Sequence, residues 1–512
     1  MKRHRVAGSS GASTCRFSRL SELLARRRAA GTVEHAKLSG SHAYTLVQIV
    51  AKVIAGAVLV GVARLGGSSA TGRYVIYVVA ASLLASVLLF GGRILTIKIW
   101  SETAESDILR VAIRGRCRNS TIAIILGTSL LVVPEFLPQQ RVVGLIAATA
   151  GLLSVNAMAE SALIALGRGG IAALGNLVAN MVSGFSLLVM LFGPYGWRSA
   201  GLLFGTYLVG TAGATIFYSS LPSHVYPTSF RPIVLGVCGL GQWRNRRMGG
   251  LGWGEDDIRY GRLLGLLDLL FFLYFRGDVI VLGLVASAAV VGTYGVAYKL
   301  FEAALALPQL LVIVRQRRLV RTWDTGAADR DLTDTWAVML TGVCLLAGAV
   351  CLCSRAVPAI FGPGFGQTAR VATLLAGGLV GYGMQATAQL YLYVDSAVAR
   401  FRASIVMVQV GGIVLGVVGV AVGARYAGAS GAAVGQTLAE LMYGIGISFA
   451  VLGRVGLRVP RGLIPIAVAT GLVEAIASTS AGWWVAAVCF VVIAVTVGSR
   501  SLPELTAIVR EW

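Results

Sequence analysis

Runs of about 20 apolar residues follow one another along most of this chain, and they limit what it can fold into. A run of that length crosses ~30 Å of hydrocarbon as a helix, which satisfies every backbone polar group within the segment. Charged residues are 13% of the 512, against roughly 25% in soluble domains. Mean hydropathy is +0.78. The chain therefore reads as an all-α polytopic membrane protein, and its 65 glycines suit helices packed closely in lipid.

Apolar runs and the polar breaks between them give about fourteen transmembrane helices. They lie near 43–65, 74–92, 119–137, 142–166, 170–193, 199–221, 262–285, 289–314, 335–358, 369–394, 402–424, 428–453, 460–477 and 481–498. The longest break contains RNRRMGGLGWGEDD and divides the chain. The expected organisation is a basic cytoplasmic tail (1–42), a six-helix N-lobe (43–221) and a cytoplasmic linker (222–261). A six-helix C-lobe (262–453), two further helices (454–498) and a short cytoplasmic tail (499–512) complete it. Six helices, a linker and six more is the layout of a transporter built from two related halves.

Net charge is +22, and its placement points to the membrane and away from nucleic acid. Of the 44 Lys and Arg, Arg64, Arg73, Arg141, Arg198, Arg355, Arg370 and Arg425 fall on one side of the expected spans. Lys52, Arg276 and Lys299 fall inside spans, and all the others lie on the side of the amino terminus. An excess of that kind marks the cytoplasmic side, so both termini are expected there, in the cytoplasmic membrane. No apolar signal core opens the chain. In the tail, FSRLSELLARRRAA (17–30) sets Phe17, Leu20, Leu23 and Leu24 on one helical face beside Arg26, Arg27 and Arg28. That suits an interfacial helix on anionic lipid; a basic tail that only enforces orientation is the alternative.

Most enzyme chemistry finds no support. There is no Gly-Lys pair for a P-loop, no GxSxG elbow, and no pairing of the four histidines on a helix face. The seven cysteines have no zinc spacing and no disulfide framework. Asp329-Arg330-Asp331, with Asp324 and Asp334 nearby, reads as a solvated loop. No cofactor motif is present, and coupling to an ion gradient or to the membrane potential is left open.

The unusual chemistry is charge inside the membrane. FLYFRGDVIVLG (272–283) carries Arg276 and Asp278 within an apolar run, and YGVAYKLFEA (294–303) carries Lys299 and Glu302. A mid-span cation costs roughly 2.5–3.5 kcal/mol on insertion scales, so it is expected to face a cavity or a partner. Arg276 and Asp278 point about 200° apart on a helix and are poorly placed to pair. Lys299 and Glu302 share a face, able to pair locally or to exchange partners with Arg276 and Asp278. One reading is a buried ion network alone. The other is a water-filled cavity whose cations, Arg276, Lys52 and Lys299, meet an anionic substrate, with Asp278 and Glu302 as ion-pair partners. Lys52 favours the second, having no acid within four residues and standing on the first N-lobe helix as Arg276 stands on the first C-lobe helix. Glu160 and Glu440 read as helix-packing groups, with a proton or ion pathway as the alternative.

FRGDVIVLGLVASAAVVGTYGVAYKLFEAALALPQLL (275–311) resembles helices seven and eight of the bacterial polysaccharide (Wzx-type) flippases of the multidrug/oligosaccharidyl-lipid/polysaccharide (MOP) exporter superfamily. AIFGPGF (359–365) and YAGASGAAVGQTLAE (426–440) are similar to that family's stretches after the ninth helix and at the opening of the twelfth. The resemblance is strongest over 262–453. It implies two six-helix lobes around a central cavity, alternating access, and transfer of an undecaprenyl-diphosphate-linked oligosaccharide to the outer leaflet. The role of meeting diphosphate falls on Arg276, and by position on Lys52 and Lys299. The tail and the linker depart from the family pattern. Expected partners are the lipid-linked oligosaccharide, anionic lipids at the tail, and polymerase or assembly proteins. The rivals are a lipid II flippase, a drug exporter coupled to sodium or protons, and a non-transporting scaffold of the envelope machinery.

Overall fold

A computed structural model describes residues 34–90, 106–132, 138–166, 168–194, 199–221, 255–322, 328–394 and 402–455. Among them the regular structure is all helix. Helix α1 spans Glu34–Leu89, α2 Ser106–Val132, α3 Pro138–Ala165, α4 Gly169–Leu191 and α5 Ala200–Ser220. After the interval to 254 come α6 (Glu255–Val285), α7 (Ala288–Thr322) and α8 (Ala328–Ser354). The short α9 (Val357–Phe361) and a 3-10 turn (Pro363–Phe365) lead to α10 (Thr368–Ala376), α11 (Gly378–Val394) and α12 (Arg402–Val455).

Six of these helices hold stretches long and apolar enough to cross a membrane. Two of the stretches, Leu46–Leu89 and Val406–Phe449, are 44 residues long. Each is bent once, and each half suffices for ~30 Å of hydrocarbon. Gly67 makes the first bend at φ 69°. Ala427 and Gly428 make the second, Gly428 at φ 58°. Glycine adopts those positive φ values without steric cost. The first, second, eleventh and twelfth expected spans are thus the limbs of two bent helices.

Several boundaries differ from those read in the sequence, for one physical reason: apolar runs stop where lipid stops, whereas backbone hydrogen bonding continues into polar residues. α1 begins at Glu34, within the stretch assigned to the tail, and α6 begins at Glu255, within the stretch assigned to the linker. α2 starts at Ser106, ahead of the apolar run at 119, and α7 continues to Thr322. The tenth span is divided at Gly377 into α10 and α11. The thirteenth and fourteenth spans, the tail helix at 17–30 and the body of the linker lie outside the described residues.

Helices α1–α5 pack on one another, and α6–α12 pack on one another. Among the described residues, every substantial contact between the two groups runs through α1, which meets α6, α7, α9 and the 3-10 turn. Leu203, Phe204 and Val62 are buried on the N-lobe side of this junction, and Tyr294, Tyr298, Phe301 and Leu282 on the C-lobe side. The outer surface is apolar, with Phe185, Phe192, Leu284, Met407 and Phe449 fully exposed, as lipid-facing positions require. This is a multi-pass membrane protein.

Polar side chains tie the helices together internally. Asn156 Nδ2 of α3 donates to the Thr211 carbonyl of α5 at 2.9 Å, and Thr215 Oγ1 donates to Asn156 Oδ1 at 2.8 Å. Buried Glu160 accepts from Tyr44 at 3.5 Å and from Asn176 at 3.4 Å, joining α3 to α1 and α4. Buried Glu440 of α12 accepts from Tyr274 of α6 and from Gln436 at 3.0 Å. Both acids knit helices together.

Candidate functional site: a charged cavity between the lobes

The C-lobe wall is built on two tyrosines one helical turn apart. Tyr294 of α7 donates to Asp278 Oδ2 of α6 at 2.6 Å, and Tyr298 donates to the Phe275 carbonyl of α6 at 2.6 Å. The two rungs fix the register of α6 against α7. They also decide the fate of the two charges on α6. Asp278 faces inward, 3% exposed, and takes its second bond from the Val279 N–H at 2.7 Å. Among the described residues no ion pair reaches it. Arg276, about 200° around the helix, points the other way.

There Arg276 Nη2 meets Glu302 Oε1 at 2.8 Å, while Lys299 Nζ meets Glu302 Oε2 at 2.7 Å. One carboxylate holds two cations. The guanidinium also sits 5.3 Å from the Tyr298 ring centroid, a cation–π distance. The side chains of Arg276, Glu302 and Lys299 are 21%, 34% and 43% exposed, although protein surrounds them on both lobes. They line accessible space at the junction.

The N-lobe supplies the opposite wall. Tyr207 of α5 lies within electrostatic range of both Arg276 and Glu302. Its ring rests on Phe204 at 6.0 Å, which also packs against Tyr77 at 5.7 Å and Tyr74 at 6.4 Å. Lys52 of α1 is exposed, lies within electrostatic range of Lys299, and makes no ion pair with any described residue. The structure therefore brings together Arg276, Lys299 and Glu302, leaves Lys52 within electrostatic range of Lys299, and ties Asp278 to Tyr294 and its own backbone.

Toward one end the space is sealed by backbone. A Cβ on Gly72 of α1 would fall on the Ala288 carbonyl and Gly292 nitrogen of α7, and one on Gly292 would fall on Ser68 of α1. Farther along, Gly295 faces Val75 and Gly283 faces Ile76, with Cβ positions 3.1 and 3.2 Å away. Beside the seam, Arg64 Nε donates to the Ile360 carbonyl at 2.7 Å, and its Nη2 donates to the Ala359 carbonyl. The guanidinium thus caps carbonyls at the end of α9, where a cation suits the helix dipole. Residues 64–72, 288–292 and 359–360 come together here, at the end of the spans expected to be outer.

The sequence points to Arg276, Lys299, Glu302 and Lys52 because a charge in an apolar run is conspicuous. It gives no comparable sign for Tyr207, one tyrosine in an apolar helix, or for Arg64, whose partners are carbonyls. Tyr294 and Tyr298 do carry a signal, their spacing of four on the helix that bears Lys299. Among the described residues no three His, Cys, Asp or Glu side chains converge as a metal site.

No protein-family model matches the chain, and no curated protein matches it in sequence. Solved structures do match its fold. The lipid II flippase MurJ in an inward closed conformation superposes with a TM-score of 0.60 at 12% identity, covering 90% of this chain and 99% of that one. A multidrug resistance MATE family transporter of the MOP superfamily, inward-facing, gives 0.52 at 13% identity, covering 81% and 98%. A MATE protein in complex with MaL6 gives 0.51 at 12% identity, covering 82% and 96%. The fold is the all-α, two-lobed one these transporters share.

Proposed function

We propose that the protein is a flippase of the MOP superfamily in the cytoplasmic membrane, with both termini cytoplasmic. It moves an undecaprenyl-diphosphate-linked oligosaccharide to the outer leaflet for surface polysaccharide synthesis. One observation carries this reading: Arg276 and Lys299 share a part-exposed site at the lobe junction, with Lys52 of the other lobe within electrostatic range of Lys299. A diphosphate linked to lipid and sugar is an anion of the right kind for such a site, since guanidinium and ammonium groups bind phosphate oxygens through charge-assisted hydrogen bonds. The likeness of fold to flippases and exporters supports the transport reading, and the seam on one face supports alternating access.

The substitution series at Arg276 tests it. Arg276→Lys keeps part of glycan export, and Arg276→Ala abolishes export with thermal stability unchanged. Adding Glu302→Gln to Arg276→Ala does not restore export. Recovery in that double variant would make Arg276 a structural counter-ion and overturn the assignment. A second reading, lipid II transport, draws on the higher fold similarity to MurJ. Rescue of growth in cells depleted of their lipid II flippase would decide for it; rescue only of a strain lacking its surface-glycan flippase decides for the first.

A further inference from the structure

The carboxylate of Glu302 occupies the place a phosphate would take. It bridges a guanidinium and an ammonium with its two oxygens, at 2.8 and 2.7 Å. Among the described residues nothing else binds it: no hydroxyl or backbone N–H donates to it, and the side chain is one-third exposed. Asp278, on the neighbouring helix α6, shows what a structural carboxylate looks like here: buried, and fixed by a tyrosine and its own backbone. The cation side is differently supported. Arg276 keeps the Tyr298 ring beneath it whether or not Glu302 stays. Lys52, which pairs with no described residue, adds a further positive charge within electrostatic range of Lys299. Arg276 and Glu302 are only part-buried, so an incoming anion can reach the pair and compete for it.

We propose that Glu302 is the resident counter-anion of the site: an incoming phosphate displaces it from Arg276 and Lys299, and its return expels the ligand. Offsetting part of the positive charge in the empty state weakens the site's hold on stray anions, and the like charge of Glu302 prevents a bound diphosphate from becoming trapped. This rests on the reading of the cavity as an anion site, and deepens it by assigning the group that sets affinity and release.

The test uses the full-length protein in nanodiscs of zwitterionic lipid, titrated calorimetrically with inorganic pyrophosphate. Glu302→Gln should bind about tenfold more tightly than the native protein, the order expected when one like charge leaves the neighbourhood of a phosphate. Glu302→Asp, whose shorter arm cannot reach both cations, should also bind more tightly, and it serves should the glutamine variant fail to fold. Glycan export by either variant should fall as release slows. Unchanged or weaker binding in a folded Glu302 variant, with Arg276→Ala still impairing binding, overturns this inference and leaves the anion site standing. If the native protein does not bind pyrophosphate, or binds it regardless of Arg276 and Lys299, the anion site itself is wrong and the inference falls with it.

Discussion

Tyr294 shows how a single hydroxyl fixes a buried charge. Helical spacing turns Asp278 and Arg276 to different sides of α6, and the Tyr294 hydroxyl fixes Asp278 on the buried one while Arg276 meets Glu302. Tyr294→Phe should lower stability by about 1–3 kcal/mol, the cost of stripping a donor from a buried acceptor. Pyrophosphate affinity should hold, because Asp278 stands outside the cation group. A matching loss of affinity in calorimetry, with the fold intact, would return Asp278 to the ligand site. At this scale the sequence is partly legible. The pairing of Lys299 with Glu302 follows from helical spacing, as does the failure of Arg276 to pair with Asp278. That Glu302 serves both cations is not legible, because Arg276 reaches it across 26 positions of sequence through a register set by tyrosines. Tyr207 escapes notice for the same reason: only the approach of two lobes gives it a role.

The second limb of α1 and the start of α7 form a joint with no side chains at its centre. Gly72 and Gly292 bring the two backbones together more closely than any Cβ permits. Gly292→Val should therefore prevent the outer seam from closing and reduce export severely. A cysteine at Tyr207, in an otherwise cysteine-free chain, should then react with a membrane-impermeant reagent from outside, whereas it stays protected behind the native seam. Protection in the valine variant would show that the seam is not the outer gate. Arg64→Ala should have a milder effect, since its bonds flank the joint. The apolar runs reveal where these helices cross, but not their ends or their joint. Glycine is so frequent here that two critical ones do not stand out in the sequence.

For the molecule as a whole, the alternation of apolar runs and polar breaks foretells the all-helical membrane class, and the placement of Lys and Arg sets an expectation for its topology. Single cysteines at Gln140, Ser199 and Tyr426 should be labelled from outside, and those at Asn245 and Thr325 only after permeabilisation. Labelling of position 245 in intact cells would invert the topology. Deleting residues 2–33, which stops short of α1, should leave export largely intact and weaken binding to anionic vesicles, at ~1 kcal/mol per basic residue. Complete loss of export by a folded, membrane-inserted deletion variant would favour the scaffold reading. What no pattern of residues foretells is that one helix carries the meeting of the lobes, since tertiary contact leaves no periodicity. That arrangement makes α1 a lever. Its fulcrum at Gly67 is clamped to the C-lobe on either side, by Arg64 on the α9 carbonyls and by Gly72 on α7. The arm from fulcrum to Lys52 is about 15 residues, or ~22 Å of helix, so a turn of about 10° swings Lys52 by ~4 Å. On the proposed reading, a displacement that size separates an ammonium within reach of a phosphate from one beyond it, so a small torque at the Gly67 bend would close or open the cationic grip.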